Sequence, residues 1–188
     1  MAALLAVALG ALVFVGRPQA QQATTATVSA SVALTSNGNG FTDRSDVVAW
    51  LSPVGTDAKP RLATGRRYKI DQVQKRFQPH VLVVPIGASV DFPNLDPIFH
   101  NVFSLFDGKR FDLGLYEAGT SRSVNFTRAG VCYVFCNIHP DMSAVVVVVD
   151  TPYYAVSNAA GALTIGDVPP GRYKLSVWHE RFKPADAT

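Results

Sequence analysis

Cys136, His139 and Met142 stand at even three-residue intervals in the stretch FCNIHPDM. A thiolate and a thioether are soft donors and an imidazole is borderline, a combination that suits copper. Zinc would take a fourth Cys, His or carboxylate in preference to Met. Pro140 lies inside the run, and a mid-helix proline removes a hydrogen bond and clashes with the preceding turn. The three residues are therefore not one face of a regular helix, and a strand-to-strand loop folding around an ion is the simpler arrangement. A His2Cys set with a weak axial Met is the recurring electron-transfer copper site, so one imidazole is still to be found.

The chain holds four histidines. With His139 used, His80, His100 and His179 remain. His100 sits in DFPNLDPIFHNVFS, at the head of an apolar strand after a Pro/Asn/Asp turn, at an end of a sandwich where loops cluster. His80 heads another strand beside Pro79, and His179 follows Trp178 at the end of one. Spacing favours His100 only modestly and leaves the other two open.

The two cysteines, Cys132 and Cys136, lie in VCYVFC, a β-branched and aromatic run that reads as a strand. Four residues of strand place their Cα atoms roughly 13 Å apart, whereas a disulfide needs less than about 7 Å. Residues i and i+4 of a strand share a face, so Cys132 is expected to point inward as a small core residue. A c-type haem is excluded, because C-x-x-C-H does not occur.

The elements that must position these groups are short and numerous. DVVAWL (46–51), HVLVVP (80–85), SVDFP (89–93), HNVFSL (100–105), SRSVNF (121–126), VCYVFC (131–136), AVVVVVD (144–150) and GRYKLSVW (171–178) read as strands, separated by turn signals such as IGA, DGK, AGT and VPPG. RRYKIDQVQKRF (66–77) fits a short helix or an edge strand. Many short strands at this spacing predict an all-β, antiparallel Greek-key sandwich. GALTIGDVPPGRYKLSVWHE is expected to form a β-hairpin. The basic residues between Lys59 and Arg76 read as a solvated face or a docking surface for an acidic partner.

The chain has 188 residues, 48% of them hydrophobic and 16% charged, which is enough apolar material for a real core and argues against disorder. Its formal charge of +3 forms no basic stripe of the kind nucleic-acid binders carry. The uncharged run MAALLAVALGALVFV is shorter than the roughly 17 residues that span a bilayer, and it reads as a secretory signal peptide over 1–20. A low-complexity linker over 21–43, a sandwich over 44–151 and a β-rich tail over 152–188 follow. Export to the periplasm or beyond is the expectation.

F-P-N-x-D followed by H-N-V-F, with C-x-x-H-x-x-M about thirty-five residues later, resembles the cupredoxin family of plastocyanin and amicyanin, in particular bacterial plastocyanin-like proteins of methylamine utilisation. The match covers roughly 78–150, and the short ligand loop with a Pro after its His is like amicyanin's. The resemblance implies one copper ion per chain, cycling between Cu(I) and Cu(II). It implies His100, Cys136 and His139 as strong ligands, Met142 as the axial one, and Asn101 as the residue that ties the two ligand loops together. It further implies a periplasmic one-electron carrier, with the edge of His139 as the electron exit between Ile138 and Pro140 and an unidentified redox protein as partner. A copper delivery or storage protein, or an interaction module with an incidental site, is the alternative. Two histidines beyond His100 and His139 are too few for an oxidase or a nitrite reductase within this chain. C-x-x-x-C…H-x-x-M also resembles the binuclear copper centre of cytochrome oxidase subunit II, but there three residues separate the second Cys from the His, and here only Asn137 and Ile138 do. The tail resembles part of a carboxypeptidase regulatory-like, transthyretin-like module.

Overall fold

The five consecutive valines of Val145–Val149 are buried without interruption, and the fold follows from that fact. A strand that alternates apolar and polar residues covers one core, whereas one that is apolar on both faces must lie between two. The computed structural model describes residues 24–36, 39–55, 60–62, 66–105 and 109–182. The expected signal peptide, Lys59 and the last six residues lie outside them.

The strands run β1 (Ala26–Ser31), β2 (Thr35–Ser36), β3 (Asn39–Gly40), β4 (Val48–Pro53), β5 (Arg67–Lys69), β6 (Asp71–Val73), β7 (Arg76–Gln78), β8 (Val81–Pro85) and β9 (Ala88–Pro93). They continue with β10 (His100–Ser104), β11 (Phe111–Tyr116), β12 (Ser121–Phe126), β13 (Gly130–Phe135), β14 (Ser143–Val149), β15 (Tyr154–Val156), β16 (Ala162–Val168) and β17 (Tyr173–Trp178). No helix occurs among the described residues. The ambiguous stretch 66–77 holds the edge strand β5 and most of the tight β6–β7 hairpin.

A five-stranded sheet in the order β11-β10-β13-β14-β8 faces a three-stranded sheet, β12-β9-β5. Ile70, Phe92, Phe126, Val134, Val146 and Val148 are among the residues that fill the space between them. The chain repeatedly switches between these sheets, as a Greek-key sandwich requires. Most pairings are antiparallel. β8 with β14 and β5 with β9 are parallel, because each pair joins strands whose connection crosses the sandwich.

The other face of the five-stranded sheet is also covered. Val145, Val147 and Val149 of β14, with Val81 and Val83 of β8, pack on Val48, Trp50 and Trp178. Those last residues belong to a sheet ordered β15-β4-β17. Its far face, with Ala49 and Leu51, packs on Leu163, Ile165 and Val168 of β16, which pairs with β1. Four sheets are thus stacked with three apolar layers between them, and β14 separates the first two layers.

Three expectations change here. The tail phrase is not a hairpin: β16 pairs with β1 and β17 with β4, so the VPPG segment crosses between sheets. The reason is that Leu163 and Ile165 of β16 face the layer that β4 and β17 line from the opposite side. Residues 26–31, within the stretch read as a linker, form β1. Where β1 ends, Val32 N–H donates to the Gly161 carbonyl at 2.9 Å, and a side chain on Gly161 (φ +78°) would strike the Val32 carbonyl. β4 likewise joins the tail strands rather than the sandwich it precedes in sequence.

Candidate metal centre

β13 and β14 form an antiparallel hairpin whose last ladder pair is Phe135 with Ser143. The loop beyond that pair is 136–142. It is closed by its own backbone: Cys136 N–H donates to the Met142 carbonyl at 3.1 Å, and Met142 N–H donates to the His139 carbonyl at 3.0 Å. Cys136 and Met142 are held at the base, both buried in the sandwich core, and His139 sits half-buried at the turn. Met142 is 0% exposed, so its thioether belongs to the core rather than the surface.

His100 reaches the same place through sheet order. β10 lies beside β13 and runs antiparallel to it, with Phe103 opposite Phe135, so the start of β10 meets the loop that leaves β13. His100 is fully buried, and its ring centroid lies 4.8 Å from that of His139. The two Nδ1 atoms are 3.1 Å apart, and Cys136 Sγ lies 3.9 Å from one and 3.7 Å from the other. A point in the plane of the three atoms is about 2.1 Å from each, the length of a metal–imidazole bond and slightly under a metal–thiolate bond. The donor set therefore fits one metal ion. Two imidazole nitrogens and one sulfur in a trigonal array are the set associated with copper of the electron-transfer kind.

The supporting contacts explain why the imidazoles face inward. His100 Nε2 lies 2.8 Å from an Asp96 carboxylate oxygen, which makes it the protonated nitrogen and leaves Nδ1 with its lone pair. Asp96 also accepts the backbone N–H groups of Gln74 (2.5 Å) and Lys75 (2.8 Å), the two residues of the β6–β7 turn. Burial alone would raise the Asp96 carboxyl, but the Lys75 N–H, His100 and the Gln74 N–H outweigh it and hold it below the ordinary carboxylate value. Desolvation, then His100 and Lys75, push the His139 imidazole below its usual value, which keeps the neutral, ligating form.

Asn101 stands between β11 and the ligand loop. Its Nδ2 donates to Asp112 Oδ1 at 2.7 Å, and Asn137 N–H, at 3.4 Å, points to its Oδ1, joining the ligand loop to β11. Asn94 orders the turn that carries Asp96 and His100: its Nδ2 donates to the Ile98 and Tyr116 carbonyls, and its Oδ1 accepts the Asp96 N–H. Tyr116 is the cross-strand neighbour of His100, and its hydroxyl donates to the Phe92 carbonyl. Desolvation pushes that phenol up to about 12, although the bond from Gln72 pulls the other way. Sequence reasoning assigned no role to Asp96, Asn94 or Tyr116. The Asn and Asp of FPNLD were visible, but nothing local said that the carboxylate turns back onto the His four residues later.

The remaining histidines lie elsewhere. His80 pairs with Glu180 at 2.7 Å and contacts the Ser143 carbonyl, and His179 lines a polar cavity of about 160 Å3 with Asp43, Asp46 and Arg181. Cys132 is buried and free, and its thiol contacts Ser104 Oγ at 3.3 Å and the Lys109 carbonyl at 3.5 Å. Burial pushes that thiol up, so it stays protonated as a core group. Exposed Leu95, Ile98 and Phe99 flank His100, and exposed Ile138 flanks His139.

No family model and no curated protein matches the sequence. Among solved structures, the chain is similar to a novel purple cupredoxin from Nitrosopumilus maritimus, at 24% identity over 44% of this chain and 99% of that one, with a TM-score of 0.40. It is similar to a methionine-to-alanine mutant of amicyanin in its Cu(I) form, at 21% identity over 54% and 98%, with a TM-score of 0.42. A copper-containing nitrite reductase from Thermus scotoductus SA-01 matches at 24% identity over 52% of this chain, with a TM-score of 0.43, and only 25% of that enzyme is spanned. With TM-scores below 0.5, the centre described above stands on its own geometry within an all-β sandwich.

Proposed function

We propose that this chain is a type 1 copper protein that works as a one-electron carrier between redox partners outside the cytoplasm. The observation that carries the reading is the triangle of His100 Nδ1, His139 Nδ1 and Cys136 Sγ, closed at metal-bonding distances by the chain itself. Copper bound there supplies one reversible electron, and the residues supply constancy of shape. Cys136 is fixed at the end of β13, His100 by Asp96, and the loop by its two backbone bonds, so neither oxidation state has to reorganise the site. Met142, buried in the same loop, would supply the fourth, thioether donor. Burial of His100 and Cys136 favours a held ion over one handed on, so a carrier is preferred to a delivery protein.

The redox partner docks on the exposed apolar residues next to the ligands in sequence, Ile138 beside His139 and Leu95, Ile98 and Phe99 ahead of His100, and the half-buried His139 imidazole is the route from the centre to the outside. Of the basic residues read as a docking face, Arg67 and Lys69 are neutralised by Asp91 and Asp71, and Arg66 stacks over Tyr68. Lys75 and Arg76 line one cavity with Asp141 of the ligand loop, so they are the cations of this face placed to steer an acidic rim on the partner. No helix among the described residues is long and apolar enough to cross a membrane. The outer β4, β15, β16 and β17 layers are assigned no chemistry.

The test is to load the purified protein with Cu(II) and record visible and EPR spectra, then repeat with Cys136→Ser. An intense thiolate-to-copper band with small hyperfine splitting, lost in the variant, is expected. A colourless tetragonal signal indifferent to Cys136→Ser would overturn the reading.

A further inference from the structure

Among the described residues, Asp96 is the carboxylate that touches the centre, and it does three things with two oxygens. It accepts from His100 Nε2 at 2.8 Å and from the N–H groups of Gln74 and Lys75 at 2.5 and 2.8 Å. It is 7% exposed, so its charge is little screened by water. Gln74 and Lys75 both have positive φ (54° and 57°), unusual for residues with side chains, and their amides converge on the carboxylate. Asp96 is in turn fixed from behind, its own N–H donating to Asn94 Oδ1 at 3.1 Å. The carboxylate is therefore held on three sides, and the direction left for His100 is set.

We propose that Asp96 is a positioning residue of the metal centre: held by the Gln74–Lys75 turn, it fixes His100 with Nε2 protonated and Nδ1 open, and its charge stabilises Cu(II) over Cu(I). The inference deepens the copper reading and rests on it for its redox half. Electrostatics gives the sign. Cu(II) carries one more positive charge than Cu(I), so a fixed anion behind a ligating imidazole strengthens the oxidised state more than the reduced one. A neutral residue at that place raises the reduction potential. The ligand half stands without copper, because a His with Nδ1 protonated could not offer that nitrogen to any metal.

Three measurements test it. In metal-free protein at mildly alkaline pH, the long-range nitrogen–proton NMR spectrum of the histidines should show His100 as the Nε2–H tautomer; an Nδ1–H tautomer overturns the proposal without any variant being made. In Asp96→Asn, outer-partner loss typically costs 10–100-fold in metal affinity, so Zn(II) binding should weaken by about that factor. With copper, a Cu(II) loss tenfold greater than the Cu(I) loss appears as a rise in potential of about 59 mV, the tenfold equivalent for one electron. Asp43→Asn, a carboxylate removed from the cavity around His179 rather than from the centre, should leave the potential where it is. An Asp96→Asn protein with unchanged potential and unchanged Zn(II) affinity reduces Asp96 to a turn cap. If Asp96→Asn does not fold, the tautomer measurement decides. If the parent protein shows no thiolate-to-copper band, the carrier reading fails, while the tautomer and Zn(II) measurements still judge Asp96.

Discussion

The molecule contains two pairs of histidines, and their surroundings are opposite. His100 and His139 meet at 3.1 Å beside a thiol, one of them fully buried and backed by a carboxylate. His80 and His179 lie at the junction of β8 with the end of β17, among Glu180, Asp43, Asp46 and Arg181, with the His80 and Glu180 side chains 41% and 40% exposed. Both sets contain imidazoles and carboxylates close together. Only the first converges its donor atoms, because its residues leave adjacent strands of one sheet. The second joins two sheets at the surface, where an ion pair is worth roughly 0–1 kcal/mol. A metal centre is therefore distinguished by a buried soft donor and converging lone pairs, and a count of histidines does not reveal it.

That contrast can be broken most directly by exchanging which pair is removed. His139→Ala should abolish the thiolate-to-copper band, whereas a His80→Ala/His179→Ala double variant should keep it at one copper per chain. The reverse result, read by visible absorption and metal analysis, would move the centre. Bound metal should also stabilise the fold, by about 4 kcal/mol at a free concentration a thousandfold above Kd. Urea unfolding with and without Zn(II) should show that gain in the parent and little of it in Cys136→Ser.

A smaller effect follows from Tyr116, the cross-strand neighbour of His100. Its phenol ionises near 10 when unfolded and is pushed up to about 12 in the fold by burial. A raised value means the protonated group contributes stability that is complete below pH 10 and is lost as pH rises through 12. The urea midpoint should fall across that window, and the fall should be shallower in Tyr116→Phe. A slope identical in the two proteins would count against the assignment. Cys132→Ser should leave the copper spectrum nearly unchanged, since Ser104 Oγ and the Lys109 carbonyl are already in place for a hydroxyl; a collapse of that spectrum, or two coppers per chain in the parent protein, would revive a binuclear centre. The smallest change is expected from Glu180→Gln, within about 1 kcal/mol in stability and without spectral consequence.

The loop was readable in advance because its chemistry is local. Residue types, three-residue spacing and Pro140 are all within eight positions, and the alternation of Cys132, Val134 and Cys136 into one core follows from strand geometry alone. Most of the strands were equally visible, since Val-rich runs and turn residues are short-range signals. β11 was not, because FDLGLY is interrupted by a glycine, and β1 was not, because ATVSAS is small, polar and exposed along its whole length.

Residue type and spacing alone name three candidate donors, Cys136, His139 and Met142, and the all-β character. Which histidine completes the set is settled only in three dimensions, since His80, His100 and His179 are told apart by β10 lying beside β13 in antiparallel register. The role of Asp96 likewise needs the β6–β7 turn to hold its carboxylate. So does the division of two apolar layers by β14 need the assembled sheets, as does the pairing of β1 with β16 across the length of the chain. The physical reason is the same in each case. Pairing partners and the far face of a strand are set by which surfaces remain to be buried once the local elements exist, and that is a property of the assembled layers.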